Sequence, residues 1–372
     1  MRRPAFLKVP GSYYSTAYLT LPRLLLETVE SGIDISSHLL GLRSIGLNNI
    51  DLSIIIVNYK SWGVLQQCLY SFQQFPPQIS YEIIVIDNDS RDGKFDVFAK
   101  HNPQIKLIKN SGNNGFSNGC NLGADNSHGE FLLFLNPDTV LTNNTAIDDM
   151  FNFAQHNPGT GITSCRKINP KGKQEREMAF NNPWLIIGWI RYIYKFINKA
   201  KIQKKFPKSV MVWCPDWVTG SVVVIEKELF NKIGKWDQDS FWMYYEDVDL
   251  CRKVKLQDKE IALLRNVELK HAHGGSSRRN PETTAITKSE VVASSHVYIQ
   301  LHSQGLNKTL LHFVIFTVTL LSQLVKVLFT LPVFWKTSSR ANILVLITTS
   351  KYYLNALIRR TWRSKKLPAK YI

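Results

Sequence analysis

Acidic residues run out early in this 372-residue chain. Glu290 is the last carboxylate, and Lys308, Lys326, Lys336, Arg340, Lys351, Arg359, Arg360, Arg363, Lys365, Lys366 and Lys370 follow it unbalanced. Chemistry that needs a carboxylate therefore belongs upstream of that point. Cysteine is also scarce. The five (Cys68, Cys120, Cys165, Cys214 and Cys251) are odd in number, widely spaced and free of any CxxC, so neither a disulfide framework nor a zinc site is expected and a reducing compartment is favoured. No GxGxxG follows the first strand-like run, which argues against a dinucleotide-dependent oxidoreductase. The segment Asn58-Tyr59-Lys60-Ser61-Trp62-Gly63 is not the basic, glycine-rich loop that a sugar-nucleotide nucleotidyltransferase needs for a triphosphate. The N-terminus carries Arg2 and Arg3 but no apolar core with a small-residue cleavage site, so nothing in it asks for export. Long uncharged runs are few: Thr309–Val325 is about 25 Å long as a helix, against a bilayer core of roughly 30 Å.

What is present points to a folded, strongly basic protein. Hydrophobic residues make up 44% and charged residues 20%, which excludes a disordered or collagen-like chain. Lys and Arg number 46 against 29 Asp and Glu, a net charge of +17, so an anionic partner is expected. From Asp51 the pattern becomes β-branched and strand-like. Leu52–Asn58 and Tyr81–Asp87 are apolar runs of strand length, with Leu65, Cys68, Leu69 and Phe72 at helical spacing between them. A short strand at Ile105–Ile108, a helix entered near Phe116 and a strand at Phe131–Leu135 continue the rhythm. This predicts an α/β fold with a mostly parallel sheet flanked by helices.

In such sheets, ligands bind beyond the carboxyl ends of the strands. Those ends read Asn58-Tyr59, Asp87-Asn88-Asp89-Ser90 and Asn136-Pro137-Asp138-Thr139. Any one of them could be a helix cap or turn; three in succession suit a polar ligand. Asp138 is placed to hold Mg²⁺ or Mn²⁺ beside a diphosphate, because hard cations take oxygen ligands and keep substrate phosphates and waters. Glu246-Asp247-Val248-Asp249 puts three carboxylates at the start of a helix, more than capping requires. In His271-Ala272-His273-Gly274-Gly275, a histidine can complete a metal shell while glycines let backbone approach a phosphate.

Taken in order, these segments resemble the family-2 glycosyltransferases of the GT-A fold, in particular the rhamnosyltransferase-like branch that builds bacterial surface polysaccharides. The resemblance runs from Ile56-Val57-Asn58-Tyr59 and Val85–Ser90 through Asn113–Asn121, Leu135–Thr139 and Trp217–Ser221 to the Glu246–Asp249 cluster and His271 with Gly275-Ser276. It implies donor contacts from Asn58, Asp87, Asn114, Gly115, Phe116, Asn118 and Asp138, and an acceptor side formed by Gly220, Ser221 and Trp242. Asp138 would be the surviving carboxylate of the family's Asp-x-Asp, whose first position is Asn136 here. With His271 it would bind Mg²⁺ or Mn²⁺; His273 has no matched role. The implied reaction is a single inverting displacement with Asp247 as base and Glu246 as second candidate. The donor would be a nucleoside-diphosphate sugar, dTDP-rhamnose before a UDP-sugar, and the acceptor a glycan or a polyprenyl-diphosphate-linked sugar. A non-catalytic membrane-bound protein of the same fold that binds glycan or nucleotide is the rival reading.

The expected organisation is an N-terminal helical extension over 1–50 and a GT-A domain over 51–304, its nucleotide half 51–145 and its acceptor half 146–304. A basic, apolar tail follows over 305–372. Trp184, Trp189, Tyr192 and Tyr194 alternate with Arg191, Lys195, Lys199 and Lys201, a pattern suited to a membrane interface; with the acid-free tail it makes an anionic membrane surface the expected partner and nucleic acid not. In-plane helices or a re-entrant hairpin fit better than a crossing, which would leave the basic tail outside. The expected location is the cytoplasmic face of a bacterial inner membrane, peripheral or monotopic.

Overall fold

The computed structural model describes residues 50–175, 182–272 and 280–367; the expected extension before residue 50, and His273, lie outside them. Strand β1 (Leu52–Asn58) is buried at every position, so it runs through the middle of the core. It pairs in parallel with β2 (Tyr81–Asp87), Leu52 opposite Tyr81 and Asn58 opposite Asp87. On its other side it pairs in parallel with β4 (Phe131–Leu135), and β3 (Lys106–Lys109) extends the sheet beyond β2. The expected third strand is thus displaced by one residue.

Antiparallel strands then continue the sheet. Helix α1 (Trp62–Gln74) links β1 to β2, α2 (Phe95–His101) precedes β3, and α3 (Phe116–Asp125) leads into β4. The chain continues through β5 (Thr139–Val140), α4 (Ala146–His156), β6 (Thr160–Ile168), α5 (Gly188–Ile197), α6 (Lys199–Lys205), β7 (Val212–Trp213), β8 (Val222–Glu226) and α7 (Lys227–Lys232). After α8 (Glu246–Lys255) comes the long β9 (Glu260–His271). The strand order is β3-β2-β1-β4-β8-β6-β9-β5, with β8 antiparallel to β4 and β7 attached to β9. The sheet is mixed, and its first half in sequence is the parallel run β3-β2-β1-β4.

Alternation along β1 divides the core between the two faces. Ile54 and Ile56 join Leu65, Leu69 and Phe72 of α1 and Met150 and Phe151 of α4. Ile55 and Val57 join Cys120 and Ala124 of α3. Helix α3 lies close because Gly123 faces β1: a Cβ there would sit 2.4 Å from Ile55 Cγ2. All five cysteines are free thiols.

Three helices close the chain: α9 (Pro281–His302), α10 (Gly305–Thr330) and α11 (Thr337–Arg359). Asn280 and Thr283 form a capping box at the start of α9, each satisfying the other's backbone N–H. The uncharged run from Thr309 to Val325 is the middle of α10, which with the following turn gives one apolar helix, Gly305–Val333, long enough to cross a membrane. On α10 only Leu311 and Ile315 are buried; they pack with Ile187 and Ile299. Phe313, Leu321, Leu328 and Phe329 are exposed, as are Trp189, Tyr192, Phe196 and Ile197 on α5.

Candidate active site

A cleft of about 430 Å³ opens over the carboxyl ends of β1 and β4. Tyr59, Asn88, Gly115, Phe116, Asp138, Gly220, Ser221, Trp242, Glu246, Asp247 and His271 line it. Segments far apart in sequence converge here because parallel strands deliver their following loops to one edge of the sheet.

On the nucleotide side, Asn58 and Asp87 are fully buried and bound to each other. Asn58 Nδ2 donates to Asp87 Oδ1 at 3.1 Å, and Ser90 donates its backbone N–H and its hydroxyl to the same carboxylate. This pair fixes the turns that present Tyr59 and Asn88 to the cleft and does not itself line it. Asn118 also lies behind the wall, in a chain of amides: Asn110 Nδ2 donates to Asn88 and Asn118, and Asn118 Nδ2 donates to Gln238. Asn113, rather than Asn114, reaches the cleft. Gly115 has φ +101°, and a Cβ on it would lie 2.2 Å from the Trp242 carbonyl oxygen, which accepts a hydrogen bond from Phe116 N at 3.0 Å. Only glycine allows that approach.

The second group is Asp138, His271 and Glu175. Asp138 is buried, and its Oδ1 takes no well-directed hydrogen bond. His271 Nε2 lies 3.2 Å from that oxygen, while His271 Nδ1 meets Glu175 Oε1 at 2.6 Å. Strand β5 brings them together: Thr139 pairs with His271, and Ala272 N donates to Asp138 O. Burial works against a charge on His271, but its hydrogen bonds to Asp138 and Glu175 and their charges outweigh it and raise its pKa to about 9. A carboxylate that orients a histidine through Nδ1 leaves Nε2 facing the metal position, the usual outer support of a histidine ligand. A buried carboxylate and an imidazole 3.2 Å apart fit a hard divalent cation that displaces the proton between them and takes its remaining ligands from phosphates and water. Among the described residues, no group of three or more His, Cys, Asp or Glu side chains is arranged to hold a metal alone.

The third group is Glu246 and Asp247 at the start of α8. Two consecutive residues, Tyr244 and Tyr245, have φ of +74° and +66°, a conformation that costs a non-glycine residue free energy and turns the helix start into the cleft. Asp247 accepts from Gly220 N at 3.1 Å and from Val248 N at 2.9 Å. Burial pushes both carboxyls up, and Glu246 well above the usual range, with Asp247's charge adding to it. Glu246 Oε2 has no hydrogen-bond partner, whereas two N–H donors and the charge of buried Lys167 favour the ionised form of Asp247. Burial therefore raises Glu246 further than Asp247, whose N–H donors and nearby Lys167 oppose it. Asp249 points elsewhere, bonded to His302 and Lys253. Nearby, Ser221 Oγ lies 2.8 Å from Thr219 Oγ1, which also accepts from Lys167 Nζ.

Glu175, Lys167 and the amide chain through Asn110 and Gln238 were not legible in the sequence. None lies in a motif; Glu175 becomes visible only once β5 and β9 pair.

A family model described as glycosyl transferase family 2 matches residues 53–220. The low-salt glycan biosynthesis hexosyltransferase Agl10 of Haloferax volcanii is 30% identical over 227 residues, 59% of this chain and 67% of that protein. The N-acetylglucosaminyl-diphospho-decaprenol L-rhamnosyltransferase of Mycobacterium tuberculosis is 20% identical over 249 residues, 62% of this chain and 78% of that one. Two longer relatives are matched over only 15% and 25% of their length. Among solved structures, the mannosyltransferase PcManGT of Pyrobaculum calidifontis in complex with GDP-Man and Mn²⁺ has a TM-score of 0.47 at 14% identity, covering 82% of this chain and 75% of that one.

Proposed function

This chain belongs to glycosyltransferase family 2, and from that premise we propose that it transfers a sugar, L-rhamnose first among candidates, with inversion from a nucleoside-diphosphate donor to a sugar carried on a polyprenyl diphosphate. Its place is in glycan or surface-polysaccharide biosynthesis. The observation that carries the mechanism is Asp247: a carboxyl in the wall of the cleft, held by two backbone N–H groups and standing beside Glu246. Asp247 removes the proton of the acceptor hydroxyl as that oxygen attacks the anomeric carbon, and the nucleoside diphosphate leaves from the opposite face. A base of this kind contributes about 10²–10⁴-fold. Burial raises its proton affinity towards the working pH, which suits a general base.

Asp138 and His271 would hold the divalent cation, with Glu175 fixing the imidazole. When bound, Mg²⁺ or Mn²⁺ supplies Lewis-acid stabilisation of the charge growing on the leaving diphosphate. Asn113, Gly115 and Phe116 border the donor, supported from behind by Asn58, Asp87 and Asn118; Gly220, Ser221 and Trp242 border the acceptor. The relative named for L-rhamnose transfer to a diphospho-decaprenol-linked sugar supports both the sugar and the carrier.

The protein works at an anionic membrane surface, peripherally or as a monotopic protein, on the cytoplasmic face. The exposed aromatic and aliphatic side chains of α5 and α10 support this, since the two segments share one cluster of Ile187, Leu311 and Ile315 and turn their remaining apolar residues outward. The test is to incubate the protein and Mn²⁺ with dTDP-rhamnose, UDP-sugars and GDP-mannose in turn, with a lipid-diphosphate-linked sugar as acceptor. Release of nucleoside diphosphate together with a lengthened acceptor supports the reading. A folded protein that turns over none of these donors would move it to the non-catalytic binding protein.

A further inference from the structure

The segment after α11 returns to the cleft. Arg360 ends the helix in the left-handed conformation, and the chain doubles back over α9 and α10. The Trp362 ring stacks on His296 at 4.3 Å and on His312 at 4.7 Å, nearly parallel to both. Tyr352 OH donates to Trp362 O at 2.9 Å, the Arg363 guanidinium donates to Asp239 O, and Ser364 Oγ donates to buried Glu290 at 2.9 Å. These anchors place Lys366 with its ammonium 3.8 Å from the centre of the Trp242 ring, in the wall of the cleft. It is the only lysine or arginine among the described residues that line the cleft, where three carboxylates, Asp138, Glu246 and Asp247, also face.

We propose that Lys366 is the cation that meets the diphosphate of the acceptor's lipid carrier, and so selects an acceptor that bears one. This rests on the reading that the acceptor is carried on a lipid diphosphate. Two anionic groups have to enter this cleft, and the protein answers them at separate places. The donor's diphosphate belongs with Asp138, just before β5, and His271, at the end of β9. Lys366 instead sits on the ring of Trp242, which precedes the base on the chain and whose indole donates to Asn113 O at 3.0 Å, so the ring joins the donor loop to the stretch that carries the base. Thr283, Ile286 and Thr287 of α9, the helix that precedes α10 and its outward apolar face, line the same cleft. A lipid arriving along that face brings its head group to Lys366 while its sugar reaches Asp247. The Trp242 ring holds the ammonium by a cation–π contact without neutralising it, and Glu290, whose charge acts on Lys366, is bonded by Ser364.

The experiment compares two acceptors that share one sugar, an octyl-diphosphate-linked sugar and the neutral octyl glycoside, with wild type, Lys366→Ala and Lys366→Arg. In wild type the diphosphate acceptor is preferred in kcat/KM. In Lys366→Ala that preference falls about ten- to hundredfold, the range for losing a charge-assisted contact, and Lys366→Arg restores most of it. An equal loss for both acceptors would make the segment a structural wall only, and a rise in donor KM with the preference intact would assign Lys366 to the donor; either overturns the proposal. Binding of the octyl-diphosphate-linked sugar without donor separates this inference from the transferase reading. Weaker binding by Lys366→Ala upholds it even where no donor is turned over, and unchanged binding refutes it.

Discussion

The parallel half of the sheet and the three closing helices spend similar apolar residues in opposite ways. In β1, β2 and β4 the isoleucines, leucines and phenylalanines face inward, and the polar atoms above them are tied by short hydrogen bonds such as those on Asp87 and Asp247. In α10, Phe313 and Phe329 are 65% and 82% exposed, and the neighbouring charges are all basic. Burial can be satisfied by protein or by lipid. The first half settles positions to within a hydrogen bond, as chemistry demands; the second leaves a face for a surface that has no fixed atoms. Lys366 links the two, being a tail residue in the wall of the cleft.

The comparison predicts that variants in the cleft cost chemistry and leave membrane binding alone, and that variants on the outer helical face do the reverse. The largest effect is expected for Asp247→Asn, which should lower kcat about 10²–10⁴-fold with donor affinity and vesicle binding unchanged. Retention of more than about a tenth of activity, below that range, would move the base to Glu246. Next is Glu175→Gln, which weakens the support of His271 and should lower Mn²⁺ affinity, read by calorimetry with nucleoside diphosphate present, about 10–100-fold. No change would detach Glu175 from the metal position.

A third, near tenfold, concerns the packing of the tail and depends on pH. His296 sits among His312, Tyr352, Tyr353 and Trp362, and burial, with His312 adding, pushes its pKa down to about 3. A depressed histidine contributes stability that is intact above its unfolded value near 6.5 and is lost as pH falls towards 3. Between pH 7.5 and 5.5 the loss is about 1.4 kcal/mol. It should appear as a lower melting temperature at pH 5.5, and His296→Gln should flatten the pH dependence. The smallest effect is expected for Phe329→Ser, which should weaken binding to anionic vesicles about fivefold, a fraction of one buried aromatic side chain, with turnover of a neutral glycoside acceptor unchanged. Loss of that turnover as well would break the division.

How far the sequence carries this architecture depends on where the information lies. The limits of β1, β2 and β4 are legible because buried strands read as near-continuous apolar runs. The edge strand β3 is a residue out because its exposure alternates weakly. Asp138, Glu246, Asp247 and His271 are recognisable from their segments, and the cleft does gather them. Asn58 and Asp87 are recognisable too, but their register opposite each other turns them into a buried pair, which only strand pairing reveals. Glu175 and Lys366 lie in segments without periodicity. Lys366 in particular is one of many tail lysines until the stacking of Trp362 fixes where the chain turns back.

The contact between Gly115 and the Trp242 carbonyl has a consequence for redesign. Asn113, Gly115 and Phe116 line the cleft, and the stretch that begins at Trp242 carries Asp247, the proposed base, five residues on. They meet backbone to backbone at Gly115 and Phe116, and the Trp242 indole donates to Asn113 O at 3.0 Å. A donor loop transplanted from a relative will therefore fit only if the segment 242–247 comes with it. The two stretches are one inheritable cassette, and donor preference and proton transfer have to be altered together or not at all.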